Sequence, residues 1–191
     1  MNPGRVMSAQ LAFPLAAVVS GLASGLSCLV PGFAIIFPGL FFGVAIAFAV
    51  HHKVGVLDPL MGVVLIVLSM FGYWIAGIAT LLSIRFLGNG NILACGSIAG
   101  GVRACVTAVA LAISSKYFQS IRVVAVTTLA GAVCGVICGG VIYLHDHKHM
   151  PHPLDSILMF LIWQVGVASV IPSLRKVQTD RDSTNSEVNN S

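Results

Sequence analysis

The fold class is decided by residues 60–84, LMGVVLIVLSMFGYWIAGIATLLSI, which contain no charged residue and are almost entirely apolar. A helix needs about 20 consecutive apolar residues to cross the hydrocarbon core of a bilayer, and this stretch is longer than that. The rest of the chain is similar: of its 191 residues, 57% are hydrophobic and 8% are charged. Soluble domains carry about 25% charged residues. So few charges cannot form a water-facing surface, and the sequence therefore predicts an integral membrane protein.

Further apolar stretches lie on both sides of this one, which gives about six predicted spans. The pair Pro31-Gly32 separates the first two and is a turn signal. We predict an all-α fold, a polytopic transmembrane helical bundle over residues 1–174. Residues 175–191 are polar and are predicted to form a disordered tail. The predicted spans are Leu11–Val30, Phe33–Val50, Leu60–Ile84, Ile92–Ile113, Val123–Leu144 and Ser156–Leu174.

The N-terminal segment leaves an alternative open. Arg5, the apolar residues after it and the small residues Ala23 and Ser24 imitate a secretory signal peptide. The apolar run continues to Val30, however, and exceeds the about 7–15 residues of a signal-peptide apolar region. This length favours a retained first helix, whereas cleavage would leave one span fewer.

The distribution of lysine and arginine predicts the orientation, because cytoplasmic loops carry an excess of both. With six spans and a cytoplasmic N-terminus, only Arg85 and Lys148 lie outside. The basic residues that then lie inside are Arg5, Lys53, Lys116, Arg122, Arg175, Lys176 and Arg181. We therefore expect both termini in the cytoplasm and the protein in the plasma (inner) membrane. The basic residues are dispersed between apolar runs, so the net charge of +4 does not indicate a nucleic-acid partner.

Glycines spaced four residues apart recur in the predicted spans. Such spacing places small residues on one helix face, where two backbones approach closely. One interpretation is an interface with a second copy or with another membrane partner, and the simpler one is packing inside a single bundle. The residues are Gly21, Gly25, Gly39, Gly43, Gly96, Gly100, Gly131, Gly135 and Gly139.

Cysteines and histidines are candidate metal ligands. The cysteines lie in or at the ends of apolar spans, where a buried thiol usually acts as a small apolar residue. The histidines lie in two loops, and the loop after the fifth span is the richer one. Alternate residues of an extended segment point the same way, so histidines there could face one transition-metal ion. The alternative is a solvated polar loop. The candidate ligands are His145, Asp146, His147, His149 and His152.

Arg103 interrupts the fourth span. A charge at the middle of a membrane helix costs about 2.5–3.5 kcal/mol on insertion scales and usually faces the bundle interior or a cavity. Backbone carbonyls, the Thr107 hydroxyl or an anionic ligand are its candidate partners, and we treat Arg103 as part of a substrate or ion pathway. Alternatively, the glycine-rich segment from Phe86 to Gly101 is irregular or re-entrant, and Arg103 lies at the outer interface.

The sequence leaves three classes of function open. The HExxH, P-loop and GxSxG motifs of common enzymes are absent, and no histidine lies within a span to activate Ser24. We therefore expect a small transporter or channel-like protein, linked to a metal or another ion. The alternatives are a non-catalytic subunit or assembly factor of a membrane complex and, third, an intramembrane enzyme.

Overall fold

The computed structural model describes residues 3–30, 36–54, 58–115, 118–148 and 154–171. Within these ranges the chain forms six α-helices and no strand, which confirms the predicted all-α fold. The predicted turn at Pro31-Gly32 and the predicted tail at 175–191 lie outside the described residues. The helices are α1 (Pro3–Ser27), α2 (Phe37–Val54), α3 (Pro59–Leu87), α4 (Ile92–Ser114), α5 (Ile121–Lys148) and α6 (Leu154–Ile171).

Four helices in the described ranges are long and apolar enough to cross a membrane. They are α3, α4, the Ile121–Tyr143 part of α5, and α6. The apolar parts of α1 and α2, Phe13–Ser27 and Phe37–His52, are shorter. The protein is therefore an integral membrane protein, and four of the about six predicted spans meet the length expected of a membrane helix.

Local sequence sets the ends of α3. The Asp58 side chain accepts a hydrogen bond from the Leu60 N–H at 3.0 Å, and Pro59 occupies the first turn, where its missing N–H costs nothing. The helix ends at Gly88, whose φ of 77° favours glycine. A short 3₁₀ turn, Asn89–Asn91, then leads directly into α4.

Helix α3 buries mainly small residues and exposes large ones. On α3, Phe71 is 58% exposed and Leu81 is 70% exposed. The buried residues of the same helix are Gly62, Leu65, Ser69, Gly72, Ala76 and Ser83. This pattern is typical of a membrane bundle, because lipid solvates large apolar side chains while close packing favours small ones between helices.

Facing glycines allow α4 and α5 to approach closely. The backbone of Gly96 lies against Gly135 and Gly139, and that of Gly100 lies against Gly131 and Gly135. A Cβ atom added to Gly139 would lie 2.8 Å from the carbonyl oxygen of Ile92 on α4. The glycine spacing is therefore needed at this seam for the two backbones to approach.

The remaining predicted glycines pack in the same way at two other seams. A Cβ atom on Gly21 or Gly25 would meet the α6 backbone, and one on Gly39 or Gly43 would meet the α3 backbone. All the glycines selected from the sequence thus face another helix of the same chain. Packing within one bundle accounts for them, and a partner that used these faces would have to displace a helix.

Candidate functional site

Arg103 lies in the middle of α4, which is one continuous helix from Ile92 to Ser114. The expectation of an irregular or re-entrant segment up to Gly101 is therefore wrong beyond the short turn at Asn89–Asn91. Glycines that suggested irregularity, such as Gly96 and Gly100, instead pack against α5. Arg103 is only 7% exposed, so its side chain lies inside the bundle and not at a helix end.

Aromatic rings from three other helices surround the guanidinium group. Phe42 comes from α2, Tyr73 from α3, and Phe160 and Trp163 from α6. The distances from the Arg103 Cζ atom to the ring centroids are 5.5 Å for Phe42, 5.0 Å for Tyr73, 5.8 Å for Phe160 and 4.1 Å for Trp163. We call these residues the aromatic cage. Each ring lies within about 6 Å, the range in which its negative face attracts a cation.

The cage residues also pack on one another. Phe42 meets Trp163 edge to face, with centroids 5.2 Å apart and an interplanar angle of 67°. Tyr73 and Phe160 lie with centroids 6.1 Å apart. These contacts link α2 and α3 to α6, so the position of the cage is fixed by helix packing and does not depend on the arginine alone.

Two of the three guanidinium nitrogen atoms of Arg103 lack a hydrogen-bond partner among the described residues. Its Nε and Nη2 atoms are buried and have no hydrogen-bond partner there. Thr107, a candidate partner from the sequence, donates its hydroxyl proton to the main-chain oxygen of Arg103 at 3.0 Å instead. Two guanidinium nitrogen atoms are thus left unpaired, and an unpaired buried donor costs about 1–3 kcal/mol or more when charged.

Arg103 borders a cavity of about 620 Å³ between α3, α4, α5 and α6, which we call the Arg103 cavity. Tyr73, Phe160 and Trp163 of the aromatic cage also line it. Its wall further includes Ile84, which is exposed near the end of α3. The cavity therefore extends from the buried charge towards the turn between α3 and α4.

A second polar cluster, next to the cage, escaped the sequence-based reasoning. Gln164 is fully buried, accepts a hydrogen bond from the Ser20 hydroxyl and donates one to the Ser24 Oγ at 2.9 Å. Ser24 in turn reaches the carbonyl oxygen of Pro38 at 3.4 Å. The signal was a large uncharged polar residue within a predicted span, because such residues hydrogen-bond across membrane helices. The cluster joins α1 and α2 to α6 directly beside Trp163.

The remaining candidate metal ligands are the cysteines and the residues of the histidine-rich segment. The chain's five cysteines are free thiols; Cys95 and Cys138 line the Arg103 cavity, and the remaining ones are Cys28, Cys105 and Cys134. The described residues contain no group of three or more side chains able to hold a metal ion. His145, Asp146 and His147 lie in the last turn of α5 and not in an extended segment. His149 and His152 lie outside the described residues, and the metal site stays a prediction.

Comparison with known proteins adds no relative. No family model, no curated protein and no solved structure matches this chain. The aromatic cage, the buried arginine and the cavity are therefore the features from which a function must be argued.

Proposed function

We propose that this protein is a small multi-pass transporter of the plasma membrane, and that the Arg103 cavity is its substrate-binding chamber. The observation that carries this proposal is a guanidinium group with two nitrogen atoms that lack hydrogen-bond partners among the described residues, at the wall of a cavity of about 620 Å³ between the helices. Ionisable residues within membrane helices are rare, and they commonly mark substrate or ion pathways.

The energetics support a ligand for Arg103. Desolvating an arginine costs several kcal/mol, and well-packed apolar residues in the same place are often as stable or more stable. The aromatic cage offsets part of that cost, by about 2 kcal/mol for a desolvated cation–π contact. The aromatic cage leaves the Arg103 donors at Nε and Nη2 without a hydrogen-bond partner. An anionic substrate would supply the missing charge and acceptors together.

The positive charge of Arg103 argues against a metal ion as the substrate of this cavity. At 5 Å and an effective dielectric constant of about 20, two like unit charges repel by about 3 kcal/mol. A metal cation near Arg103 would meet at least that repulsion, since the described residues that line the cavity include no carboxylate. We therefore assign anions to this chamber, and any metal binding at the histidine-rich segment is a separate property. The subunit and enzyme alternatives have no comparable observation in their favour.

The test is transport by the purified chain in proteoliposomes. Currents across a solid-supported membrane should appear with at least one anion from a panel of chloride, phosphate, succinate and hexanoate, and not with Zn²⁺ or K⁺. Arg103→Leu should abolish the anion current. Arg122→Leu, which removes an exposed charge at the start of α5, should retain it. Anion currents that survive in Arg103→Leu, or currents carried by Zn²⁺, would overturn the proposal.

A further inference from the structure

We infer that the substrate of the Arg103 cavity is an amphipathic monocarboxylate, whose carboxylate pairs with Arg103 and whose apolar body fills the rest of the cavity. This inference rests on the proposed function, because it assigns a substrate class to the same chamber. Three observations support it: buried atoms of the wall that lack a hydrogen-bond partner are donors, the wall carries one positive charge among the described residues, and most of the wall is apolar.

Three buried side-chain atoms of described residues in the cavity wall lack a hydrogen-bond partner, and all three are hydrogen-bond donors. Among the described residues that line it, the buried side-chain atoms without a hydrogen-bond partner are Arg103 Nε, Arg103 Nη2 and Trp163 Nε1. The Thr80 hydroxyl is already engaged, since it donates to the Ala76 carbonyl oxygen at 2.9 Å. A ligand that satisfies this wall must therefore bring acceptors, and a carboxylate brings two oxygens with about four acceptor sites.

The charge of the wall favours a single negative charge on the ligand. Arg103 is the only arginine or lysine among the described lining residues, and aspartate and glutamate do not occur among them. Arg103 can pair with one negative charge on the ligand. A second negative charge would be buried without a partner, which costs several kcal/mol. The planar guanidinium fork also matches a carboxylate in a bidentate geometry.

The remaining wall favours an apolar ligand body. Away from Arg103 it is formed mainly by glycine, alanine and isoleucine, including Gly77, Ile84, Ile92 and Ile142. A sugar-like body would bury hydroxyl groups against residues that offer no partners, which is unfavourable. An inorganic anion such as chloride would pair with the guanidinium but leave most of the 620 Å³ unfilled. An apolar chain of several carbons needs no hydrogen-bond partners and fills more of the cavity than an inorganic anion does.

The experiment uses Trp163 as the reporter. The chain has two tryptophans, and Trp74 is 54% exposed, so Trp74→Phe leaves Trp163 as the single fluorophore. Acetate, butanoate and hexanoate are titrated into this variant in nanodiscs, with hexanamide as the neutral analogue. We expect saturable quenching or enhancement, with affinity rising about fourfold for each added CH₂ group. Hexanamide should bind at least about 30-fold more weakly than hexanoate, because it lacks the charge that pairs with Arg103.

Three variants in the Trp74→Phe background refine the test. Arg103→Leu should weaken hexanoate binding by about 30-fold or more, and Arg122→Leu should leave it unchanged. Arg103→Lys keeps the charge without the planar fork and should give an intermediate affinity. If Arg103→Leu fails to fold, the hexanoate affinity of Arg103→Lys tests whether Arg103 binds the ligand. Equal binding to wild type in Arg103→Lys and Arg103→Leu would remove the arginine from the site.

The outcomes separate this inference from the transport proposal. Hexanoate binding without flux in proteoliposomes would overturn transport and support the substrate class. Chloride or phosphate flux without hexanoate binding would support transport and overturn the substrate class. Tighter binding of succinate, chloride or phosphate than of hexanoate would also overturn it, and so would hexanamide binding equal to that of hexanoate.

Discussion

The Cζ atom of Arg103 lies 4.1 Å from the centroid of the Trp163 ring, and the other rings of the aromatic cage are more distant. A guanidinium in this position over an indole is attracted to the ring face by about 2 kcal/mol when both groups are desolvated. The contact joins α4 to α6, so its strength should be visible in the stability of the whole bundle.

The first prediction concerns this contact. A double-mutant cycle of Arg103→Leu and Trp163→Leu, followed by unfolding in detergent, should give a coupling energy of about 1–2 kcal/mol. The control cycle pairs Arg103→Leu with Trp74→Leu, at the exposed tryptophan, and should give a coupling near zero. Equal coupling in both cycles would show that the cage does not hold the arginine.

The second prediction separates a functional from a structural role of the charge. Arg103→Leu should unfold in detergent at the same temperature as the parent or at a higher one, because replacing a buried charge by an apolar side chain is often neutral or stabilising. The same variant should lose anion binding. A fall of several degrees in the thermal midpoint, with binding retained at lower temperature, would instead make Arg103 a structural residue.

The third prediction uses two neighbouring glycines of α5 as a matched pair. A Cβ atom on Gly139 would lie 2.8 Å from the Ile92 carbonyl oxygen, whereas one on Gly140 would meet only the Leu93 side chain at 3.9 Å. Gly139→Ala should therefore destabilise the bundle by about 1–3 kcal/mol through overpacking. Gly140→Ala should be neutral or stabilising by up to about 1 kcal/mol. Equal unfolding midpoints for the two variants would contradict the tight α4–α5 seam.

The fourth prediction concerns the polar cluster of Gln164, Ser20 and Ser24. Gln164→Leu removes the side-chain hydrogen bonds between α1 and α6, but each serine keeps a main-chain acceptor, Ala17 or Pro38. The expected loss is therefore modest, about 0.6–1.7 kcal/mol, as measured for hydrogen bonds between membrane helices.

The control for the polar cluster is Ser169→Ala. Ser169 is exposed on the same helix and donates only to the Val165 carbonyl oxygen of its own helix. Its replacement should change the unfolding free energy by less than about 0.5 kcal/mol. A loss above about 3 kcal/mol in Gln164→Leu would show that the cluster, and not the glycine seams, dominates packing around α6.

The fifth prediction concerns orientation. Reporter fusions after Lys53, Ser115 and Ser183 should give a cytoplasmic signal, and a fusion after His149 an external one, because the basic residues concentrate on the first side. The turn between α3 and α4 would then lie outside, so the Arg103 cavity would extend towards the external face. A cytoplasmic signal after His149 would reverse that assignment.

The sequence by itself determined the helices and the identity of the unusual residue. Apolar length is a local property, so the stretch from Leu60 to Ile84 predicted most of α3. The ends of α3 are set by the caps at Asp58 and Gly88, which lie outside the apolar stretch. Arg103 was recognisable because a charge within a span is costly wherever its partners are. The four-residue glycine spacing likewise marked the helix faces that pack, although it could not name the helices they meet.

Only the tertiary structure decided what surrounds Arg103. Phe42 and Tyr73 lie on the consecutive helices α2 and α3, Trp163 lies on the distant helix α6, and nothing local in their sequence context brings the three rings together around Arg103. In water, apolar periodicity would indicate the inner face of each helix. In lipid it does not, because large apolar residues such as Leu81 face outward while Gly72 and Ala76 are buried. Helix pairing follows from backbone fit between small residues, which is a property of two helices together and is absent from either sequence segment alone.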